Sequence, residues 1–455
     1  MVPPFIIFMK KIIIIFFVLL PLLASAEAVE IGGIYYNLIS KANSAEVTHN
    51  PEGVSGSYSG DVIVPDIITY EGKEYSVTGI GDYAFYVCRA LTSITIPNSV
   101  KIIGASAFDD CDGLSKVNIS DLSSWCEIKF FSQPLWYAKH LYIDGKELKD
   151  MEIPFSVTNI SSYAFQGCEG LTSVVTNSVT SIGEGAFYGC KNIKSLSIGN
   201  NVTNIENFAF FGCSGITSIM IPSSVSFIGW DVFSGCTCVK SINVEKGNKY
   251  FDSRNDCNAI IETQSNTIIA GCMSTIIPNT ITKIGYSAFS HCSGLTTLNI
   301  PSSVEYIGDM AISYCDNLKK ITIGKGVTHF DPHFIYSCPE ITDVYCYIEN
   351  LYSTNYFGSG ARYTYEAAFG DCKIEYATLH VPKSEINNYK KMDPWKNFGN
   401  IVPLTSEELS VKSISNEKPS EMYIYTLDGT HINKSKKGLN IIKYKNGCIK
   451  KKIVK

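Results

Sequence analysis

The chain has 455 residues, of which 45% are hydrophobic and 18% charged, and its formal net charge is −5 at pH 7. This balance is typical neither of a nucleic-acid-binding protein nor of a disordered chain, so we expect a packed body that binds no nucleic acid. The sequence contains 27 Tyr, 23 Phe and 16 Cys but only 7 His. The spacing of the aromatic and thiol residues indicates why they are so frequent.

The N-terminus has the pattern of a signal peptide. Lys10 and Lys11 precede an apolar run over residues 12–23, and the small residues 24–26 follow. This order predicts export, with cleavage after Ala26. A membrane anchor is the alternative, but a span needs roughly 20 apolar residues, and we expect no integral membrane span anywhere in the chain. Met9, directly before the two lysines, is a second candidate start.

One pattern recurs between residues 77 and 346: V-T-x-I-G-x-x-A-F-x-x-C-x-x-L-T-S-I-x-I-P-x-S. Successive copies start 22 or 23 residues apart, except for two steps of 57 and 56 residues, which place insertions near residues 120–156 and 248–280. Nine copies of one pattern predict a solenoid. The copies start at Val77, Val100, Val157, Val179, Val202, Val225, Ile281, Val304 and Val327.

Each copy predicts one strand and one turn. In residues 91–97, Ile94 and Ile96 are expected to point inward, because alternate residues of a strand face the same side. Residues 82–88 are predicted to form a short helical turn, with Phe85 and its equivalents inside the solenoid. No copy can bury its own apolar face, so stability is expected to come from neighbouring copies.

The phasing of A-F-x-x-C and L-T-S-I-x-I-P closely resembles the BspA-like leucine-rich repeats of bacterial surface proteins. The resemblance covers residues 31–404, because both flanks also look like caps of that family. It implies a leucine-rich-repeat solenoid with a parallel β-sheet on one face and short helical turns on the other. The implied divisions are an N-terminal β-cap at 27–76, repeats at 77–346 and a C-terminal cap at 347–405. The family also implies a binding role at a cell surface.

The two insertions resemble modules that interrupt such repeats. Residues 122–150 are predicted to form a hairpin-bearing loop, and its aromatic residues Trp125 and Trp136 are candidate ligand contacts. Residues 258–270 are predicted to form a β-hairpin that turns at Ser265-Asn266.

Nine cysteines lie 11 residues after the start of a copy and form a ladder of equivalent positions. A residue that recurs at one phase serves the repeat, so we interpret these thiols as small buried hydrophobic groups. Disulfides or a metal site stay open as alternatives, since export implies an oxidising compartment. Off the ladder, Cys257 with Cys272 and Cys346 with Cys372 are two candidate disulfides. The ladder contains Cys88, Cys111, Cys168, Cys190, Cys213, Cys236, Cys292, Cys315 and Cys338.

No motif indicates catalysis, a metal or a cofactor. His329, Asp331 and His333 alternate like ligands on one strand face, but Asp331-Pro332 has the pattern of a helix N-cap and first helical residue. The abundant serines recur at repeat phases, whereas a catalytic residue is usually singular. An enzyme is therefore disfavoured.

The exposed strand positions are mostly small and polar. Charge and an aromatic ring gather only near the C-terminal end of the array, at Lys320, Asp343 and Tyr345. These three residues are candidate contacts for a protein or glycan ligand. Two alternatives stay open: the face merely solvates the sheet, or the chain is a structural or nutrient-capture component of the cell envelope without host contact.

The C-terminal tail differs in kind from the repeats. Residues 434–455 contain nine Lys and no acid, alternating with apolar residues, which predicts a small β-sandwich with a turn at Asn446-Gly447. Its strand and turn pattern resembles the C-terminal sorting domain of type IX secretion. That resemblance implies a sorting domain at 416–455 that is recognised by the secretion machinery, followed by release or surface attachment.

Overall fold

The computed structural model describes residues 28–52, 56–349, 355–356, 368–410, 422–425, 431–432, 438–444 and 449–454. The chain divides into two compact units, Met1–Tyr250 and Phe251–Lys455, called unit 1 and unit 2 below. The predicted signal peptide and the predicted turn at Asn446-Gly447 lie outside the described residues.

Unit 1 contains mostly short strands and two short helices. The helices are α1 (Leu122–Glu127) and α2 (Pro134–Ala138). The strands are β1 (Val29–Ile31), β2 (Ile34–Ile39), β3 (Ser44–Thr48), β4 (Gly60–Ile63), β5 (Ile67–Tyr70), β6 (Lys73–Ile80), β7 (Leu91–Thr95), β8 (Ile102–Ile103), β9 (Lys116–Ile119), β10 (Lys129–Phe130), β11 (Leu141–Ile143), β12 (Lys146–Glu147), β13 (Asp150–Glu152), β14 (Asn159–Ile160), β15 (Ser173–Val175), β16 (Ser181–Ile182), β17 (Ser195–Ser197), β18 (Asn204–Ile205), β19 (Ser218–Ile221), β20 (Phe227–Ile228) and β21 (Ser241–Val244).

Unit 2 has the same character. Its α-helices are α3 (Ile386–Tyr389) and α4 (Ser406–Ser410), and 3-10 turns occur at Arg254–Asp256, Ile374–Tyr376 and Trp395–Asn397. The strands are β22 (Phe251–Asp252), β23 (Ala259–Glu262), β24 (Thr267–Gly271), β25 (Lys283–Ile284), β26 (Thr297–Ile300), β27 (Tyr306–Ile307), β28 (Ile312–Ser313), β29 (Lys320–Ile323), β30 (His329–Phe330), β31 (Ile335–Tyr336), β32 (Asp343–Cys346), β33 (Asn355–Tyr356), β34 (Thr378–Val381), β35 (Asn400–Pro403), β36 (Met422–Tyr425), β37 (His431–Ile432), β38 (Gly438–Tyr444) and β39 (Ile449–Val454).

Each repeat contributes a front strand from its L-T-S-I-x-I segment and, in most copies, a side strand from its V-T-x-I segment. Both kinds pair in parallel with the equivalent strand of the next repeat: Ile94 of β7 lies opposite Val117 of β9, and Ile80 of β6 lies opposite Ile103 of β8. The fold is therefore a leucine-rich-repeat β-solenoid, as predicted. The side strands were not predicted.

The segment that was expected to be a short helical turn is a chain of tight turns. In residues 82–88, the amides of Ala84, Tyr86 and Cys88 bond within the segment, to carbonyls three residues earlier. The alternate amides of Tyr83 and Phe85 donate instead to Ala105 and Ala107 of the next repeat. This alternation ties neighbouring repeats together along the turn side, which a helix cannot do because its amides bond within one segment.

The core is a row of stacked phenylalanines, as the repeat predicted. In unit 1 the ring of Phe187 lies 5.2 Å from both Phe165 and Phe210, with interplanar angles of 6° and 2°. All three side chains are fully buried. Inward-pointing Ile94 and Ile96 are also buried, whereas Ser195 and Ser197 are exposed. The expected strand faces are thus confirmed.

The ladder cysteines are buried, apart from the partly exposed Cys292, and they do more than fill space. The thiol of Cys213 donates to the carbonyl of Phe187 at 3.1 Å, and the thiol of Cys190 donates to Phe165 at 3.0 Å. Each thiol thus bonds to the preceding repeat. A cysteine is a small apolar side chain that still carries a weak donor, which suits a site where volume is limited and a carbonyl is near.

The two candidate disulfides are not formed, since all four cysteines are free. Cys346 lies 3.1 Å from the hydroxyl of Tyr389, while Cys372 accepts a bond from the amide of Cys338 at 3.3 Å. Cys372 completes an A-F-x-x-C segment at residues 368–372, so it continues the ladder as a tenth position. That phase explains why it packs on Cys338 and not on Cys346.

Both insertions contribute turns to the solenoid. In the first, β10 and β11 pair in parallel with β8 and β9, and β11 with β12 forms the predicted hairpin. In the second, β23 and β24 form the predicted antiparallel hairpin around Ser265-Asn266. The C-terminal strands β36–β39 form one four-stranded antiparallel sheet in the described part of the tail.

We expect Phe187→Ala to lower the free energy of unfolding by roughly 3 to 5 kcal/mol, because it removes a fully buried ring between two others and leaves a cavity. The matched control is Ser195→Ala on the exposed face of the same repeat, which should change it by no more than about 0.5 kcal/mol. Chemical denaturation of both purified variants measures the difference. A silent Phe187→Ala together with an unfolded Ser195→Ala would reverse the assignment of strand faces.

We expect the ladder thiols to resist alkylation until the chain is denatured. Burial, and next the neighbouring thiol of Cys190, raise the pKa of Cys213 well above its ordinary value, so little thiolate forms at neutral pH. Cys238 is the exposed cysteine among the described residues. Mass spectrometry after iodoacetamide should find Cys238 modified in the native chain and the ladder modified only in denaturant. Disulfides within the ladder would contradict this prediction.

Candidate functional site

The candidate site lies on the solvent side of the front sheet in unit 2. This sheet has the order β26-β29-β32-β34-β35, and every neighbouring pair is parallel. Register places Lys320 opposite Asp343, and Tyr345 opposite His380. The three residues that the sequence singled out are therefore neighbours, and His380 joins them. We call Lys320, Asp343, Tyr345 and His380 the front patch.

The ring of Tyr345 is covered on both faces. The ammonium of Lys320 lies 4.0 Å from the ring centroid, and the imidazole of His380 stacks at 4.2 Å with an interplanar angle of 10°. A cation over an aromatic face is attracted by the ring quadrupole. These contacts hold three side chains from three adjacent strands in one arrangement.

The imidazole of His380 lies between two carboxylates. Its Nε2 is 3.2 Å from Oδ1 of Asp343, and its Nδ1 is 3.5 Å from Oε1 of Glu408. The first distance is that of a hydrogen bond, whereas the second is an ion-pair contact that leaves the buried Nδ1 without a hydrogen-bond partner. Asp343 thus orients the ring so that Nδ1 faces Glu408.

Glu408 belongs to α4, the short helix after the last front strand. Thr405 and Glu408 form a capping box, in which the Thr405 amide donates to Oε2 of Glu408 at 2.7 Å and the Glu408 amide donates to the Thr405 hydroxyl at 3.2 Å. The hydroxyl of Tyr347 donates to the main-chain carbonyl of Glu408 at 2.9 Å. Glu408 is therefore the residue through which α4 contacts the front patch.

The charges of the patch act on the groups within it. Burial would raise the pKa of Glu408, but its hydrogen bonds from Thr405 and the charges of His380 and Lys320 hold that pKa below the ordinary value. The pKa of the Tyr345 phenol is raised, first by burial and next by the negative charges of Asp343 and Glu408. The Tyr345 hydroxyl therefore stays protonated.

The repeat pattern has a matching family model. The model for the BspA-type leucine-rich-repeat region matches residues 72–134, 138–258 and 270–392 in six copies, which is more than half of the chain. The chain belongs to the BspA-type leucine-rich-repeat family.

Solved structures with this fold include a leucine-rich cell surface protein from Faecalibacterium prausnitzii. It is 24% identical, with a TM-score of 0.54 over 85% of this chain and 97% of that chain. The pneumococcal vaccine antigen PcpA matches at 17% identity and TM-score 0.41, over 84% and 99% of the two chains. A leucine-rich-repeat protein from Bacteroides ovatus matches at 21% identity and TM-score 0.38, over 83% and 100%. A search of curated proteins finds no significant match.

The sequence contains signals for His380 and for its neighbour Glu408, the two residues that sequence reasoning missed. Residues 377–382 follow the front-strand phase, which places His380 at the same exposed position as Tyr345. Residues 405–408 have the T-x-x-E pattern of a capping box. Neither signal shows that α4 returns to the patch, because that depends on the tertiary path after β35.

Of the two aromatic candidates in the first insertion, Trp125 is buried and Trp136 is exposed. Trp125 is buried and its indole N–H donates to the carbonyl of Ala164 at 2.9 Å, so the expectation that it contacts a ligand is corrected. It faces inward because α1 packs its apolar side into the solenoid. Trp136 is 45% exposed, with the Lys139 ammonium 4.7 Å from its ring centroid.

The alternating histidines serve the turns. Asp331 accepts bonds from the amide of Asp309 at 3.0 Å and from the hydroxyl of Tyr306, and His333 lies 3.0 Å from Asp309. The residues after Asp331 form turns, so the predicted helix start is wrong. Within the described residues, no group of three His, Cys, Asp or Glu is arranged to hold a metal ion, and no helix has the length and apolarity of a membrane span.

We expect the contribution of Glu408 to stability to vanish in acid. Because its pKa is lower in the folded chain, the ionised carboxylate stabilises the fold above its ordinary pKa of 4.5, and this contribution is lost as the pH falls through the lowered value. Thermal midpoints of the wild type and Glu408→Gln should differ at pH 6 and converge once the pH falls below the lowered pKa of Glu408. A difference that stays constant over this range would show that the charge of Glu408 does not act on the patch.

Proposed function

We propose that this chain is an exported binding protein that works at or outside a bacterial cell surface and uses the front patch to contact a protein or glycan ligand. The observation that carries the proposal is the concentration of a cation, a carboxylate and stacked aromatic rings in the front patch, where the other exposed front-strand positions are mostly small and polar. Rigid aromatic and charged side chains supply most of the energy at protein interfaces.

The arrangement of the patch supports binding and not chemistry. No side chain in it is paired as a nucleophile with a base, and its side chains are held by contacts with one another. Such a preorganised cluster loses little side-chain entropy when a partner docks. The F. prausnitzii protein with the same fold is described as a cell surface protein, which accords with export of this chain.

Binding is tested by applying the mature chain to arrays of extracellular-matrix proteins and glycans, and then repeating any hit with Lys320→Ala and Tyr345→Ala. Both variants should lose most of the binding while keeping the thermal midpoint. Thr297→Ala and Asn299→Ala are matched controls on the same face and should bind like the wild type. A hit that depends instead on Trp136 would move the contact surface to the first insertion. The absence of any hit would favour a structural or nutrient-capture role in the envelope.

Export is tested by removing residues 416–455. We expect the truncated chain to fold, because the repeats complete their core without the tail, and to accumulate in the periplasm. Fractionation of the producing bacterium measures where it stops. Arrival of the truncated chain at the surface in full yield would show that the tail is not a sorting domain.

A further inference from the structure

We propose that the front patch is a site for a carboxylate of an acidic peptide, and that Glu408 occupies it from within the same chain. The inference rests on the proposed function, because it names the ligand chemistry of the same patch. The geometry around Glu408 carries it, in four steps.

First, the surroundings of the Glu408 carboxylate suit an anion. Nδ1 of His380 in β34 lies 3.5 Å from Oε1 of Glu408. The imidazole stacks on the Tyr345 ring in β32, and the ammonium of Lys320 in β29 lies over the same ring. The charges of His380 and Lys320 lower the pKa of Glu408. Hydrogen bonds between a carboxylate and a charged donor are among the strong ones in proteins.

Second, the donors are held in place by contacts that do not involve Glu408. The Tyr345 ring is fixed between Lys320 and His380, and Asp343 fixes the imidazole through Nε2. A site whose side chains are locked by their own neighbours keeps its shape when one occupant is exchanged for another.

Third, the internal occupant fits imperfectly. Oε1 of Glu408 is 3.5 Å from Nδ1 of His380, which is longer than a charge-assisted hydrogen bond, and Nδ1 has no hydrogen-bond partner. The helix α4 has only five residues, and a short element at the surface opens more readily than the core. An external carboxylate that reaches Nδ1 at hydrogen-bond distance can therefore displace it.

Fourth, the surroundings favour a peptide over an acidic sugar. The hydroxyl of Tyr347 donates to the main-chain carbonyl of Glu408 at 2.9 Å. A peptide ligand could accept the same bond through a main-chain carbonyl, in addition to the contacts of its carboxylate. Sugar rings commonly bind by laying C–H groups on an open aromatic face. Both faces of Tyr345 are covered, which leaves none for a sugar.

The experiment uses the mature full-length chain and a labelled peptide of sequence LTSEELS, which copies residues 404–410. In the wild type, Glu408 of α4 competes with the peptide for the front patch, and it does so at a high effective concentration because it belongs to the same chain. The double variant Thr405→Ala with Glu408→Ala removes the capping box and the carboxylate. Fluorescence anisotropy should show the peptide binding this variant at least roughly tenfold more tightly than the wild type, the effect of one charge-assisted hydrogen bond.

Peptide and protein controls define the contact. The peptide LTSEQLS, which lacks the carboxylate equivalent to Glu408, should bind at least roughly tenfold more weakly, whereas LTSQELS should bind like the original. Adding Lys320→Ala to the double variant should abolish binding. Adding Lys116→Ala should not change it, although Lys116 makes the same kind of contact with Tyr142 in unit 1, at 5.7 Å.

Several results would overturn the inference. The inference is wrong if the wild type and the double variant bind the peptide equally well, or if LTSEELS and LTSEQLS bind equally well. It is also wrong if the chain binds an oligogalacturonate but not the peptide. Should the double variant fail to fold, as judged by its thermal midpoint, Glu408→Gln replaces it with the same expected order of affinities. An array ligand that depends on Lys320 while no peptide binds would sink this inference and leave the proposed function standing.

Discussion

The stacking of one buried phenylalanine on the next is the interaction on which the uninterrupted run of repeats in unit 1 depends. The ring of Phe187 is stacked on both Phe165 and Phe210. The spacing of successive rings must therefore match the spacing of the strands, roughly 4.8 Å in a sheet. This requirement sets the rise from one repeat to the next and not the exact repeat length. Phe165 and Phe187 are 22 residues apart and Phe187 and Phe210 are 23 apart, yet both pairs of rings stack at 5.2 Å. The two insertions supply complete turns of their own.

The cysteine ladder follows from the same stack. The carbonyl of Phe187 already accepts the amide of Cys190 and also receives the thiol of Cys213 from the next repeat. Serine would supply a stronger donor there, but it would also bring a polar group that burial penalises when its second lone pair stays empty. A thiol combines apolar burial with a weak donor. The position therefore suits cysteine as a packing residue, in accord with the interpretation of the ladder as buried hydrophobic groups.

The sequence predicted what repeats and missed what does not. Periodicity identified the front strands, the inward residues and the exposed positions of Lys320, Asp343 and Tyr345, since each occurs at a fixed phase. It did not predict the side strands, because two residues such as Ile102-Ile103 are too few to show an alternation. Cys372 was misread for lack of a complete tenth copy around it. Glu408 was missed because its place at the patch depends on how the chain turns after β35.

A second lysine–tyrosine pair, in unit 1, shows which contacts of the front patch also occur elsewhere in the array. In each unit a lysine at the start of a front strand lies over the ring of a tyrosine on the next strand, Lys116 over Tyr142 and Lys320 over Tyr345. Both pairs occur where the regular repeats end, the first at an insertion and the second at the C-terminal cap. A lysine–tyrosine pair is therefore a feature of the end of a series of repeats. Only the second has a histidine stacked on the far face of its ring and a carboxylate returning from a later helix. The pair alone thus reflects position in the array. The added imidazole and the returning carboxylate distinguish the patch in unit 2 from the pair in unit 1, and the proposed binding rests on these two groups.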